Sequence, residues 1–321
     1  MMLGITQLTY TAIIAFLIVV ILGPIFIPML AKFKFGQTVR DDGPKSHLQK
    51  NGTPTMGGVI MIIAILITGL TRAKLDKDLL VGLICITGFG FVGFLDDFIK
   101  IKMKRSLGLK AYQKVILQFA LALFVSYYQY SASPSATRMM VPFTDYVINL
   151  GPLYVPVMMF IIIGTVNAVN LTDGLDGLAS GVTLVVSTFF MILAVTIGNS
   201  DVAILAAATG GACLGFLGFN SYPAKVFMGD TGSMALGGAV VAFAVLTNSV
   251  LLIPIVGGIY FAETLSVIIQ VTSFRLTGKR VFKMAPIHHH FEQCGWPETR
   301  VVFIFWITTV VLAWIGIIAV F

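Results

Sequence analysis

Ten apolar runs of near-membrane length recur along the 321 residues, and no other feature narrows the possible folds so far. A helix rises about 1.5 Å per residue, so crossing a hydrocarbon layer of about 30 Å takes about 20 apolar residues. The runs cover residues 10–31, 56–70, 79–95, 115–130, 153–169, 178–197, 202–219, 234–246, 250–271 and 301–321. A chain that is 57% hydrophobic and 11% charged carries more apolar surface than a soluble core of this size could hide. The expected fold is therefore an all-α polytopic membrane protein with ten transmembrane helices. One domain over residues 1–321 is expected, because the longest hydrophilic stretches, 32–55 and 274–300, are only loop-sized. No basic residue precedes the first run and the first basic cluster follows it, so it reads as a retained span rather than a leader. Pro254, Gly257, Gly258 and Glu263 interrupt the ninth run, which is expected to kink or break where it lines a cavity.

Charge gives the orientation. Ten spans put both termini on one side, and of the 21 Lys and Arg only Arg72, Lys74, Lys77 and Arg138 fall in one alternate set of connections. The richer set is expected to face the cytoplasm, with both termini periplasmic. The net charge of +7 thus reads as a topology signal, and no nucleic-acid partner is expected. The three cysteines, Cys85, Cys213 and Cys294, are odd in number and widely spaced, so no disulfide framework is expected.

The polar chemistry gathers in the same inward connections. Asp96 and Asp97 stand where the third apolar run gives way to Lys100, Lys102 and further basic residues. Carboxylates beside hydrocarbon are costly unless they face a cavity, a cation or a partner, so this pair is a functional candidate. Residues 167–177 read Asn-Ala-Val-Asn-Leu-Thr-Asp-Gly-Leu-Asp-Gly, placing Asn167, Asn170, Asp173 and Asp176 in one tight connection. A single Asp-Gly would read as a turn, but two of them after paired asparagines favour a site. Residues 229–233, Gly-Asp-Thr-Gly-Ser, add Asp230 just before a span; alone, Asp230 or Ser233 could be a helix cap. Scattered inward aspartates suit Mg²⁺, which takes one or two carboxylates together with water and substrate phosphate. Lys50, with Thr53, Thr55 and nearby glycines, could hold a phosphate or sugar, or merely start a close-packed helix.

Residues 284–292 contain His288, His289 and His290. Binding or proton transfer at a phosphate suits imidazoles, and zinc held by His288, His290 and Cys294 is the alternative. No GxxxxGK[ST] loop for ATP is present. The residues point to a phosphate-containing substrate meeting a lipid. A transporter, motivated by the mid-span Glu263, is the rival from another class.

Four segments, Gly93-Phe94-Leu95-Asp96-Asp97, residues 167–177, residues 229–233 and Met284-Ala285-Pro286-Ile287-His288-His289-His290, resemble the polyprenyl-phosphate N-acetylhexosamine-1-phosphate transferases over almost the whole chain. The Pro-Thr-Met-Gly-Gly and Pro-Ile-His-His-His segments favour members using UDP-MurNAc-pentapeptide over relatives using UDP-N-acetylglucosamine. The resemblance implies a bacterial inner-membrane enzyme with ten spans, transferring phospho-MurNAc-pentapeptide to undecaprenyl phosphate with Mg²⁺ and giving lipid I and UMP. It implies Asp230 as principal metal ligand near Asp96 and Asp97, with these three and His289 as the catalytic set. Asn220, Phe227, Gly174, Leu175 and Asp176 would form a uridine pocket. Lys50, Thr55, Asn170, Asp173, Ser233, Gln270, His288 and His289 would line a polar cleft, Asn167 and His290 are expected substrate-binding residues beside it, and Lys110 would meet phosphate. Members of the family are dimers. Whether a carboxylate acts as base or as nucleophile stays open at this level.

Overall fold

A computed structural model describes residues 4–32, 50, 52–73, 76–103, 107–132 and 137–320; Lys74 lies outside this set. Among the described residues twelve α-helices and one hairpin follow in order. They are α1 (Ile5–Lys32), α2 (Gly58–Arg72), α3 (Lys77–Lys102), α4 (Ala111–Ala132), β1 (Arg138–Met140), β2 (Val147–Asn149), α5 (Tyr154–Thr172), α6 (Leu178–Thr196), α7 (Ser200–Asn220), α8 (Gly229–Leu246), α9 (Ile253–Val256), α10 (Gly258–Thr277), α11 (Ile287–Gln293) and α12 (Glu298–Ile318). The protein is an all-α polytopic membrane protein.

Each of the ten apolar runs is helical among the described residues, but they are not equivalent. Among the described residues eight helices have the length and hydropathy of a span. With its 15 residues α2 reaches only about 22 Å at 1.5 Å per residue, short of a full crossing. The ninth run is broken, as its Pro and Gly content leads one to expect: α9 and α10 meet at Gly257 with an 82° bend. The short antiparallel β1–β2 hairpin in the connection before α5 was not anticipated.

The bundle is built around α8, whose residues from Thr231 to Leu246 are all buried. Its small side chains let neighbours pack at backbone distance, which is how helices associate where lipid removes the hydrophobic drive between them. A methyl at Gly93 on α3 would collide with the Asp230 carbonyl, and one at Gly58 on α2 would collide with the Gly232 backbone. Glycine at these positions is what brings Asp96 and Asp97 to the start of α8. By contrast, α1, α4 and α12 present exposed apolar side chains such as Ile21, Phe119 and Trp314, as lipid-facing helices do.

Candidate active site

α3 continues about two turns beyond the apolar run that predicted it, so Asp96 and Asp97 lie on a helix and not in a loop. Asp97 caps α8 from outside: its Oδ2 accepts from the Thr231 backbone N–H (2.9 Å) and hydroxyl (2.8 Å), and its Oδ1 from the Asp230 N–H (3.2 Å). The first N–H groups of a helix have no partner within it and attract negative charge, so this carboxylate is well placed. Asp96 accepts from the Leu109 N–H (2.8 Å) and pairs with Lys100 at 2.6 Å. Asp230 accepts from Asn170 Nδ2 through Oδ1 (3.0 Å), and from Lys100 and Lys114 through Oδ2 (3.0 Å each).

One oxygen from each of Asp96, Asp97 and Asp230 falls within 4.8 Å of the other two. The Asp96 and Asp97 side chains are 5% and 4% exposed and that of Asp230 is 19% exposed, which makes Asp230 the carboxylate an arriving ligand can reach. Three hard oxygen donors that already draw two ammonium groups fit a small divalent cation such as Mg²⁺. Among the described residues no other group of His, Cys, Asp and Glu converges in this way. The zinc alternative fails, because His288 turns to Glu263 while His290 faces Cys294.

A second cluster lies across the same end of the bundle. Lys50 Nζ donates to Asp176 Oδ1 (2.7 Å) and Glu298 Oε1 (2.6 Å). Asp176 Oδ2 accepts from the Ala224 N–H (2.9 Å), and the Asp176 N–H donates to Glu298 Oε1 (2.6 Å). Burial alone would pull the Lys50 ammonium below its ordinary pKa, but the hydrogen bonds of Asp176 and Glu298 outweigh it and raise the value. Asp173 is half-buried between the two clusters and accepts no hydrogen bond from a described residue. Burial, then the negative charges of Asp230, Asp97 and Asp176, push its carboxyl up to about 8.

Several expected ligand-binding residues spend their polar atoms within the protein. Asn167 pairs with Gln118 (2.8 and 3.3 Å) and donates to the Ile163 carbonyl, one turn deeper in the bundle than Asn170. Ser233 accepts from Asn170 and donates to the Gly229 carbonyl. Asn220 accepts from the Gly177 N–H and Ser180 and donates to the Val226 carbonyl, joining the connections that hold Gly174, Leu175 and Asp176 on one side and Phe227 on the other. Phe227 is half-buried, and its backbone is tied to Pro54 and Gly57. Thr55 is buried beside Gly229. Gln270 holds the 278–286 segment through the Val281 and Phe282 backbones.

The histidines separate. His288 is buried, its Nδ1 3.0 Å from Glu263 Oε1 and its ring against Gly174. Glu263, the acid that motivated a transporter, is thus part of the site's support. His289 lies 2.8 Å from Glu292, and His290 Nδ1 accepts from the Lys283 N–H. Lys110 is exposed and makes no side-chain contact with the triad among the described residues. The lysines that do are Lys100, which follows the acidic pair in sequence, and Lys114, which lies in none of the motifs. The Asp96/Lys100 spacing of four on a helix was the signal for the first; nothing local marks Lys114.

The pattern matches known proteins over the full length of the chain. The family model "Glycosyl transferase family 4" matches residues 79–248, and "Phospho-N-acetylmuramoyl-pentapeptide-transferase signature 1" matches residues 50–62. A curated phospho-N-acetylmuramoyl-pentapeptide-transferase of Clostridioides difficile (strain 630) is 80% identical over 100% of both chains. The chain belongs to the phospho-N-acetylmuramoyl-pentapeptide-transferase family. Other members are 56% identical in Alkaliphilus oremlandii (97% of each chain) and 50% identical in Thermoanaerobacter sp. strain X514 (95% of this chain, 96% of the other). The signature of this transferase family begins at Lys50, and the broader family match contains the whole acidic triad.

Proposed function

We propose that this chain, as a single domain, transfers phospho-MurNAc-pentapeptide from UDP-MurNAc-pentapeptide to undecaprenyl phosphate, giving lipid I and UMP. The site faces the cytoplasm of a bacterial inner membrane, both termini are periplasmic, Mg²⁺ is required, and the protein works as a homodimer. The observation that carries the reading is the Asp96, Asp97 and Asp230 triad with Lys100 and Lys114, set at a membrane border in a chain of this family. The excess of basic residues in the connections on that side supports the orientation. The dimer and the nature of the lipid rest on family resemblance.

In the reaction an oxygen of the lipid phosphate attacks the sugar-linked phosphorus of the donor, the pyrophosphate P–O bond breaks, and UMP leaves with that electron pair. A phosphate is largely ionised near pH 7, so little proton removal is needed. The task is to place two anions together and offset their charge. Mg²⁺ held by Asp230, with Asp96 and Asp97 nearby, would neutralise charge on the pyrophosphate. Lys100 and Lys114 stand within hydrogen-bonding distance of Asp230 and can turn to phosphate oxygens when a cation takes their place at the carboxylates. Asp97 keeps the start of α8, and hence Asp230, in register. Asn170 fixes the other Asp230 oxygen.

The test is UMP release by purified protein given UDP-MurNAc-pentapeptide, undecaprenyl phosphate and Mg²⁺, with each component omitted in turn. Release only in the complete mixture is expected. Its absence from the complete mixture would refute the reading.

A further inference from the structure

Glu298, the first residue of α12, belongs to no motif, yet two short hydrogen bonds converge on its Oε1: one from Lys50 Nζ and one from the Asp176 backbone N–H, both 2.6 Å. Its side chain is 9% exposed. Through these bonds one carboxylate oxygen joins three separate parts of the chain: the stretch before α2, the connection between α5 and α6, and α12. The second carboxylate, Asp176, extends the clasp to Ala224 in the connection before α8. The oxygens of Asp176 are therefore already taken, and its place is set by Glu298 and not by contact with open space.

We propose that Glu298 is a positioning residue for donor binding, which holds Lys50 and the Asp173–Gly177 connection at the distance from the triad that the nucleotide-sugar donor requires. It touches neither the triad nor the lysines that pair with it, so its influence is on how the donor sits and not on the transfer step. The inference rests on the donor reading given above.

Because both bonds end on the same oxygen, shortening the side chain by one carbon breaks both while keeping the charge. Glu298→Asp is therefore the decisive variant, Glu298→Ala the full deletion, and Glu298→Gln the conservative control that keeps an oxygen at the same reach. Losing a hydrogen bond to a charged group is worth about tenfold in affinity. The donor KM in UMP release is expected to rise about tenfold in Glu298→Ala and about threefold or more in Glu298→Asp, with kcat and the undecaprenyl phosphate KM within about twofold of wild type. Glu298→Gln is expected to recover most of the donor KM. If Glu298→Ala does not fold, the Asp and Gln pair decides alone. A Glu298→Asp donor KM equal to that of wild type overturns the inference, as does a fall in kcat with donor KM unchanged. If the wild-type protein releases no UMP at all, the donor reading and the inference fall together.

Discussion

The two acidic clusters at this end of the bundle differ in how their negative charge is balanced. Around Asp176 and Glu298 one ammonium group, Lys50, faces two carboxylates, and backbone N–H groups take up further oxygen capacity at fixed distances. Around Asp96, Asp97 and Asp230 three carboxylates share Lys100 and Lys114, side chains on flexible stems that can swing away, and Asp230 keeps the greatest exposure. The first arrangement suits a clasp that holds loops in place. The second suits a site that exchanges one cation for another. Both are built from Asp, Glu and Lys and both draw on backbone N–H donors, so neither separates them; what does is Asp230, whose partners are all side chains and which is the most exposed of these carboxylates.

Removing the reachable carboxylate should break this contrast most sharply. Asp230→Ala is expected to lower kcat by about a thousandfold or more, the scale of losing a main electrostatic group in a transfer site, whereas the clasp variants change donor KM. Comparable kcat losses at both clusters would erase the distinction. A smaller effect, and one that sharpens it, is expected for Asp97→Asn. The amide keeps one acceptor oxygen and sets an N–H₂ against the donors that the other oxygen served, so at least one bond made by a charged acceptor is lost where the group is buried. Turnover should fall, and thermal unfolding should also show a stability loss of about 1–3 kcal/mol. Unchanged stability would mean that Asp97 does not cap α8.

The last effect is one on stability and concerns Asp173, whose carboxyl feels the charges of both clusters. Its carboxyl is raised from 3.8 to about 8, so the folded state holds a proton that the unfolded chain releases near pH 4. Its contribution to stability is thus fully present below about pH 4 and is lost as the pH rises toward about 8. Unfolding temperatures of wild type and Asp173→Asn, followed from pH 5 to 9 without added divalent cation, should lie nearest each other at the acid end and separate steadily in favour of the variant toward the alkaline end. Parallel curves would remove Asp173 from the electrostatics of the site.

Much of the fold was legible because lipid imposes length and hydropathy on any helix that crosses it. The break at Gly257 could be read for the same reason, from Pro254 and the paired glycines. The inward aspartates could be read as a group because charge sorting put them on one face. What escaped was long-range. Asp176 and Glu298 are 122 residues apart and Lys50 and Glu298 are 248 apart, so no spacing rule connects them. Lys114 reaches Asp230 across 116 residues for the same reason. Asn167 and Asn170 are equivalent by residue type, but α5 runs on to Thr172 and leaves Asn167 one turn deeper, paired with Gln118. The hairpin between α4 and α5 has strands of three residues, too short for an alternating pattern to stand out.

The division of labour between the clusters is tested most directly by cation binding. Mn²⁺ serves as a paramagnetic probe, and its binding to purified wild type, Asp230→Ala and Glu298→Ala is followed by electron paramagnetic resonance. A bound signal is expected in wild type and in Glu298→Ala and should be lost in Asp230→Ala. Undiminished binding in Asp230→Ala, or loss of the signal in Glu298→Ala alone, would contradict the account.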